Sequence, residues 1–117
     1  MKSNRKITAY KQYFLEFMAT LDERAAKKVY YALDLLKTQN RVSQKFVKFI
    51  RDGIYELRAE YDGNIYRVFF CFDDGNIVIL FNGFQKKTQK TPESEINQAI
   101  KLKNEYYASK QQSSDKH

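Results

Sequence analysis

The spacing of hydrophobic residues predicts two helices in the first third of the chain. Two groups of apolar residues there recur every three or four positions, which is the repeat of a helix with one buried face. The first group comprises Phe14, Phe17, Met18 and Leu21, and the second comprises Ala25, Ala26, Val29, Tyr30, Leu33 and Leu36. Thr20 and Asp22 are candidate caps at the start of the second helix. We therefore expect a helical hairpin that packs one apolar stripe on a core.

The segments on either side of this hairpin carry weaker patterns. Residues 5–11 (RKITAYK) have the character of a short, polar strand. The apolar group Phe46, Phe49 and Ile50 lies among cations and is expected to form a single helical turn or an irregular segment. Asp52-Gly53 ends this segment.

Alternation of apolar and polar residues replaces the helical repeat after residue 53. Three alternating runs cover residues 54–61, 65–72 and 76–84. Asp62-Gly63 and Asp74-Gly75 separate these runs, and Asp-Gly between alternating runs is a strong signal of a β-hairpin. The pattern predicts an antiparallel meander of three strands.

Each strand of this meander presents alternate residues to opposite faces of the sheet. The face expected to lie on the helical hairpin carries Tyr55, Leu57, Ala59, Tyr61, Tyr66, Val68, Phe70, Phe72, Ile77, Ile79 and Phe81. The opposite face is expected to carry Glu56, Arg58, Glu60, Arg67, Phe69, Cys71, Val78, Leu80, Asn82 and Phe84.

Two-residue turns would place three polar residues of the second face in one row. With such turns at both Asp-Gly pairs, Arg58 faces Arg67, and Arg67 faces Asn82. Two arginines directly opposed on a sheet cost stability, and a phosphate bound between them would remove that cost. A different register would place Glu60 opposite Arg67 as an ordinary ion pair, and the sequence leaves both registers open.

A basic stretch and a final helix follow the third strand. The lysines of the basic stretch are Lys86, Lys87 and Lys90. Thr91-Pro92 starts the helix, and residues 108–117 (ASKQQSSDKH) are predicted to be a flexible polar tail. The order of elements indicates an α+β fold with a single domain over residues 1–107. In this fold the N-terminal helical hairpin packs on an antiparallel sheet, and a C-terminal helix closes the domain.

Composition limits what such a chain can do. The 117 residues include 21 Lys and Arg against 14 Asp and Glu, for a net charge of +7. A chain this short buries about two-thirds of its unfolded surface, which suffices for one core and excludes a two-domain enzyme. No apolar stretch approaches the roughly 20 residues of a membrane span, and the N-terminus lacks an apolar signal core. We therefore expect a soluble, cytoplasmic protein with no membrane partner.

The cysteine and histidine counts restrict metal chemistry. Cys71 is the only cysteine, which excludes an internal disulfide, and His117 is the only histidine. A Cys/His zinc site is thereby excluded as well. Carboxylate-bound metal remains open but has no motif, so we expect no metal and no cofactor.

The second face of the meander has the residue types of an RNA-binding surface. Arginines on a sheet, lysines at its rim (Lys86 and Lys90) and an aromatic side chain (Phe84) combine phosphate contacts with base stacking. The alternative is structural: Arg58 and Arg67 pair with Glu56 and Glu60, and the lysines are a solvated rim. Composition alone favours this alternative.

Cleavage of RNA without a metal requires two proton transfers and stabilisation of the phosphorane charge. No internal histidine is present for the proton transfers. Glu56 lies on the arginine face and is the candidate base, although pairing with Arg58 or Arg67 is an equally good interpretation. A lysine of the basic stretch, for which Lys87 is the candidate, could act as the acid if its cationic neighbours lower its pKa.

The order of these segments resembles a known toxin family. The motifs are GIYELR (53–58), IYRVFF (65–70), VILFNGFQKKTQKTP (78–92) and a closing helix with Glu95 and Ala99. Over residues 10–107 their combination resembles the HigB-like, phage-related branch of the RelE/ParE superfamily. Members of this superfamily are toxins of bacterial type II toxin–antitoxin systems.

The resemblance implies a RelE/ParE-like fold and ribosome-dependent cleavage of messenger RNA by metal-free attack of the 2′-hydroxyl. The implied partners are the ribosome, the message and a cognate antitoxin, which is a helix-turn-helix protein of the HigA type. Carried over by motif, the active face comprises Arg58, Arg67, Lys86, Lys87 and Lys90.

One departure from the family pattern affects the expected chemistry. Many relatives have Leu-His-Gly-Phe where this chain has Phe-Asn-Gly-Phe at residues 81–84. Asn82 cannot act as an acid, although it can hydrogen-bond a phosphate or a base. A catalytically silent RNA-binding protein therefore stays open as an alternative. A second alternative is a ParE-like toxin on the same fold that inhibits DNA gyrase by binding.

Overall fold

Five β-strands and three α-helices form in residues 4–86 and 92–115, the residues that the computed structural model describes. In chain order they are β1 (Lys6–Ala9), α1 (Tyr13–Ala19), α2 (Glu23–Thr38), β2 (Val47–Arg51), β3 (Ile54–Tyr61), β4 (Asn64–Asp73), β5 (Ile77–Lys86) and α3 (Glu93–Asp115). The strands make one sheet in the order β1-β5-β4-β3-β2. The predicted α+β class is confirmed.

The sheet is mixed, because its first strand runs parallel to its neighbour. β3, β4 and β5 form the predicted antiparallel meander, and β2 extends it by one antiparallel strand. β1 pairs with β5 in parallel, with Lys6 opposite Ile77 and Ala9 opposite Leu80. The weak pattern in residues 5–11 therefore does mark a strand. β1 and β5 are far apart in the sequence, so a local pattern cannot predict that they pair in parallel.

Helices α1 and α2 form the predicted hairpin. The Asp22 side chain caps α2 by accepting a hydrogen bond from the backbone N–H of Ala25 at 2.8 Å, which contributes about 1 kcal/mol. We call the sheet face beneath these helices the hairpin face. Its buried core comprises Phe14, Phe17, Met18, Ala25, Val29, Ala32, Leu33 and Leu36 from the helices and Leu57, Ala59, Tyr66, Val68, Phe70, Val78 and Leu80 from the sheet.

The segment after α2 differs from its sequence prediction. The chain around Phe46, Phe49 and Ile50 forms the edge strand β2, so the expectation of a helical turn or irregular segment is wrong. Phe49 lies opposite Tyr55 of β3, with the two rings edge to face at 5.2 Å. Pairing with β3 gives hydrogen-bond partners to backbone N–H and C=O groups of β2 that a single helical turn would leave without partners. Because β2 is an edge strand of the sheet, its neighbouring cationic side chains can remain in solvent.

Helix α3 covers the opposite side of the sheet, which we call the α3 face. A second buried core forms there from Ile54, Phe69, Cys71, Ile79, Phe81 and Phe84 of the sheet with Ile96, Ala99 and Leu102 of the helix. The sequence assigns the helical hairpin to one face and does not place the final helix on either face. Both faces are in fact covered, so the arginine face of the sequence analysis is not an open surface.

Helix α3 also extends beyond the predicted end of the domain. It continues through residues 108–115, where the sequence predicts a flexible tail. The Tyr107 hydroxyl donates to the carbonyl of Phe72 at 2.9 Å, and Lys110 pairs with Asp73 at 2.9 Å. These contacts attach the last turns of the helix to the end of β4.

No helix within the described ranges is long and apolar enough to cross a membrane.

Strand β5 presents its first residues to faces opposite to those predicted. Asp73 lies opposite Ile77, so three residues rather than two form the turn, with Asp74 and Gly75 both at positive φ. The additional residue reverses the phase of the strand. Val78 and Leu80 consequently lie on the hairpin face. The residues predicted for the hairpin face lie on the α3 face instead: Ile77, Ile79 and Phe81.

Candidate functional site

The turn between β3 and β4 has the predicted two-residue register. Tyr61 lies opposite Asn64, which places Arg58 directly opposite Arg67. Glu60 lies opposite Ile65, so the alternative register with Glu60 opposite Arg67 does not occur. The structure therefore brings together the two arginines that the sequence predicted to be neighbours.

A buried carboxylate neutralises part of this arginine pair. Glu56 has no exposed surface and forms an ion pair with Arg67, which is 3% exposed. The Nε atom of Arg58 lies 3.8 Å from the same carboxylate oxygen. These three side chains constitute the Glu56 cluster. Its ion pairs are those of the structural alternative in the sequence analysis.

Electrostatics explains why the three residues of the Glu56 cluster occur together. A guanidinium stays charged in a protein, so a buried Arg67 requires a counter-charge, which Glu56 supplies. Two arginines and one carboxylate leave a net charge of +1 in the cluster. Within the described part of the chain, the Nε of Arg67 has no hydrogen-bond partner. Arg58, whose side chain is 27% exposed, is the member of the cluster that solvent reaches.

Asn82 does not join the arginine row. Between Val68 and Phe70 the pairing of β4 with β5 shifts by one residue, which inserts a bulge at Asn82. The three-residue turn before β5 shifts the partner of Arg67 by one residue and the bulge shifts it by one more, so Phe84, and not Asn82, lies opposite Arg67. The prediction of a row through Arg58, Arg67 and Asn82 is thus wrong at its third position.

The Asn82 side chain instead contacts the start of α3. Its Nδ2 donates to the backbone carbonyl of Glu95 and to the Glu95 carboxylate, both at 3.2 Å. Asn82 is 7% exposed, and its Oδ1 has no hydrogen-bond partner among the described residues. In this arrangement Asn82 connects the bulge of β5 to α3.

The predicted stacking residue is mostly covered. Phe84 is 9% exposed and stacks on Phe69, with ring centroids 5.6 Å apart and planes 30° apart. It therefore belongs to the core under α3, with only an edge available to a ligand.

The predicted basic stretch begins at the end of β5. The backbone of Lys86 pairs with Ile65, two positions beyond the Phe84–Arg67 pair. Lys87 and Lys90 lie outside the described residues. The described part of the chain therefore fixes where the stretch starts and leaves the roles predicted for these lysines as predictions.

Several residues around Arg58 were not identified from the sequence. One cavity of about 450 Å³ brings Lys48 and Phe49 of β2 beside Arg58. Another of about 370 Å³ brings Lys28 and Tyr31 of α2 to its other side. The sequence did contain one signal for Tyr31. This aromatic residue falls outside the apolar stripe of α2, which indicates an exposed ring on the helix surface. The β2 residues could not be found without knowing that β2 is a strand.

A polar network attaches α3 to the far end of the same face. The Tyr106 hydroxyl donates to the buried carboxylate of Asp73 at 2.5 Å, and Lys110 lies 2.9 Å from it. The Tyr106 hydrogen bond, with the Lys110 charge, holds the pKa of Asp73 below its usual value. Burial and the adjacent carboxylate raise the pKa of Tyr106 to about 12. Lys110 also lies 3.2 Å from the Asp74 carboxylate, so one ammonium group connects α3 to both carboxylates at the end of β4.

Cys71 is an inert thiol on the α3 face, as the sequence predicts. It is 2% exposed, and burial raises the pKa of its thiol to about 11. Thiolate chemistry at neutral pH is thereby disfavoured. Among residues 4–86 and 92–115, no three His, Cys, Asp or Glu side chains are grouped closely enough to hold a metal ion.

Comparison with known proteins places this architecture in a family. No curated protein matches the chain. The model of the Gp49-like family of phage-derived proteins (DUF891) matches residues 16–104, which include α2, the whole meander and the first half of α3. A match over that much of the sequence, together with the α+β fold of five strands and a C-terminal helix, shows that the chain belongs to the Gp49-like family, a family of RelE/HigB-like toxins.

Proposed function

We propose that this protein is the HigB-like toxin of a type II toxin–antitoxin system and that it cleaves messenger RNA on the ribosome without a metal. The observation that carries the proposal is the Glu56 cluster. The buried carboxylate of Glu56 lies 3.8 Å from the Nε of Arg58, the partly exposed arginine of the pair. No hydrogen bond between described residues occupies the terminal nitrogens of Arg58, which therefore remain available for the oxygens of a phosphate.

The reaction proposed is an internal transfer at one phosphodiester. The ribose 2′-oxygen attacks phosphorus as its proton passes to a base, and the bond from phosphorus to the 5′-oxygen breaks. The 5′-oxygen takes up a proton, which leaves a 2′,3′-cyclic phosphate and a free 5′-hydroxyl. Negative charge accumulates on the phosphoryl oxygens in the transition state, and Arg58 is placed to stabilise it.

The burial of Glu56 supports a positioning role for this residue. A general base must come within hydrogen-bond distance of the proton it removes, and a carboxylate with no exposed surface does not reach a ribose in this conformation. Glu56 instead orients Arg58 and balances the charge of Arg67. In the proposal the proton transfers fall to the basic stretch, with Lys87 as the acid and with Lys86 and Lys90 holding RNA.

The proposed partners follow from the proposed activity. A ribosome-dependent nuclease acts on a message held in the decoding site, so the ribosome and the message are both partners. We propose a HigA-like helix-turn-helix antitoxin as the neutralising partner, because the family consists of toxins of this kind.

The test is expression from a tightly repressed promoter, followed within minutes by mapping of the 5′ ends of cellular messages. Wild-type protein should produce new cuts in translated frames that disappear when translation is blocked. Arg58→Ala should reduce the cleavage rate by about 10²- to 10³-fold, the usual effect of losing one transition-state donor. Arg67→Ala is a poorer test, because it leaves the buried Glu56 short of a counter-charge and destabilises the fold.

Two controls make this result specific. Arg58→Lys retains the charge but not the two-pronged geometry, so it should restore cleavage only in part. Lys101→Ala removes an exposed cation from α3 and should leave cleavage unchanged. Growth arrest with intact messages would contradict the nuclease and favour gyrase inhibition. Absence of both arrest and cuts would instead indicate a silent RNA-binding protein.

A further inference from the structure

A groove beside Arg58 extends from the end of β3 to the exposed side of α2. Two cavities of about 370 and 400 Å³ form it, and they share the side chains of Lys28 and Tyr31. The first cavity also contacts Arg58 and Phe46, and the second reaches Tyr61. We call this surface the α2–β3 groove. The groove begins at Arg58 of the Glu56 cluster and continues along the side of the molecule that carries the helical hairpin.

The α2–β3 groove is strongly cationic. The cationic residues that line it are Arg24, Lys27, Lys28, Lys45 and Arg58, and Glu60 is the one carboxylate among the described residues that line it. Lys27 also lies 3.7 Å from Glu23, but both side chains of that pair are largely exposed, so it contributes little. The resulting positive potential attracts polyanions.

Aromatic residues line the groove together with these cations. Tyr31 is 57% exposed, and its ring meets Phe46 edge to face at 6.1 Å. At the far end, the Nη1 atom of Arg24 lies 3.5 Å from the Tyr61 hydroxyl. Neither core of the fold requires an exposed tyrosine on α2. Aromatic rings in a cationic groove are the platforms on which single-stranded nucleic acids stack their bases.

We propose that the α2–β3 groove binds the single-stranded RNA that flanks the cleaved phosphodiester. Bases stack on Tyr31 and Tyr61, and the lysines between them contact phosphates. This inference rests on the proposed nuclease function, because Arg58 connects the groove to the cleavage site. An acidic protein segment would also satisfy the cations, but it would not use the aromatic rings that line the same groove, whereas RNA offers phosphates to the cations and bases to the rings.

Direct binding of RNA tests the groove separately from cleavage. The probe is a fluorescein-labelled, single-stranded oligouridine of about 12 nucleotides, within the usual range of single-strand sites, titrated with the purified full-length chain. Tyr31→Ala should weaken binding by about 5- to 150-fold, the effect of losing one stacked base. Tyr30→Ala is the matched control, because Tyr30 is 52% exposed on the same helix but does not line the groove.

The salt dependence identifies the phosphate contacts. Lys28→Ala should lower the slope of log affinity against log salt concentration by about 0.7, the value for one phosphate contact with a single strand. Tyr31→Ala should leave the slope unchanged, because stacking releases no counterions. Lys101→Ala, on α3, should alter neither the affinity nor the slope. Thermal melting of each variant checks that the fold is retained.

The outcomes separate the groove from the nuclease. Weaker binding in Tyr31→Ala and Lys28→Ala but not in the controls supports the groove, even if the wild-type protein cuts no message. Unchanged oligouridine binding in both variants overturns it, even if message cleavage is confirmed. Unchanged RNA binding with weakened capture of the co-expressed antitoxin overturns it as well and assigns the groove to an acidic protein partner.

Discussion

The two faces of the sheet are buried by different chemistry. Apolar and aromatic side chains alone form the core of the hairpin face. The α3 face contains all four buried polar or charged side chains of the described residues: Glu56, Arg67, Asp73 and Asn82. Packing suffices to explain the first face. The second face bears the energetic cost of buried charge, and packing alone does not require that cost, which makes this face the candidate for function.

The largest expected effect comes from breaking the charge balance of the α3 face. Glu56→Gln leaves Arg67 buried and charged without its carboxylate, so we expect a loss of about 3–5 kcal/mol in the free energy of unfolding. Urea denaturation at pH 7 measures it. The double variant Glu56→Leu/Arg67→Met removes both charges and should recover most of the loss. A loss below about 1 kcal/mol in Glu56→Gln would show that Arg67 is solvated, and the contrast between the faces would disappear.

A smaller effect is expected from overpacking the hairpin face. Gly83 lies opposite Val68, and a Cβ added to it would be 2.4 Å from Cδ2 of Phe17. Gly83→Ala should therefore lower the free energy of unfolding by about 1–3 kcal/mol in the same urea assay. Combined with Phe17→Leu, it should cost less than the sum of the two single changes. Strict additivity would mean that α1 moves away freely and that this core is loosely packed.

The sequence predicts features that depend on neighbouring residues better than features that depend on distant packing, for a physical reason. The apolar stripes of α1 and α2 and the Asp62-Gly63 turn are local patterns, and the opposition of Arg58 and Arg67 follows from that turn alone. The bulge at Asn82 has no local signal. It occurs where α3 docks, through the hydrogen bonds from Asn82 to Glu95.

The same distinction explains which site residues were missed. Arg58, Arg67 and Glu56 were identified because they share one strand pair. Tyr31 and Lys48 belong to α2 and β2, and only the tertiary structure brings them to Arg58. The residue types of the site could thus be predicted, but its burial could not, because burial depends on where a distant helix packs.

Attachment of α3 can be weakened at Tyr106. Tyr106→Phe removes a hydrogen bond to the ionised Asp73, which should lower the free energy of unfolding by about 1.5–3 kcal/mol at pH 7. The pKa of Asp73 is lower in the folded state than its unfolded value of about 3.9. The stabilisation that the ionised Asp73 carboxylate gives to the folded state is therefore complete above about pH 4. It is lost as the pH falls through the pKa of Asp73 in the folded protein.

Urea midpoints of the wild type and Tyr106→Phe, measured from pH 7 down to pH 2, test this dependence. The difference between the two proteins should shrink below about pH 4, as Asp73 becomes protonated in both. The control is to make Tyr106→Phe in a protein that already carries Asp73→Asn. There the change should shift the urea midpoint much less, at every pH. A difference that stays constant with pH would assign the effect of Tyr106→Phe to packing rather than to the carboxylate.

The smallest effect is expected in an experiment that compares how often local unfolding exposes each face of the sheet to solvent. Burial raises the pKa of the Cys71 thiol to about 11, which lowers its thiolate fraction at pH 8 on the order of a hundredfold relative to a free cysteine. Alkylation by iodoacetamide should therefore be slow in the folded protein and faster in Tyr106→Phe, because α3 is held less firmly. A Cys71→Ala/Ala32→Cys variant moves the thiol to a fully buried position on the hairpin face. If α3 opens locally, that thiol should react more slowly than Cys71. Equal rates for the two positions would mean that both faces open only when the whole domain unfolds.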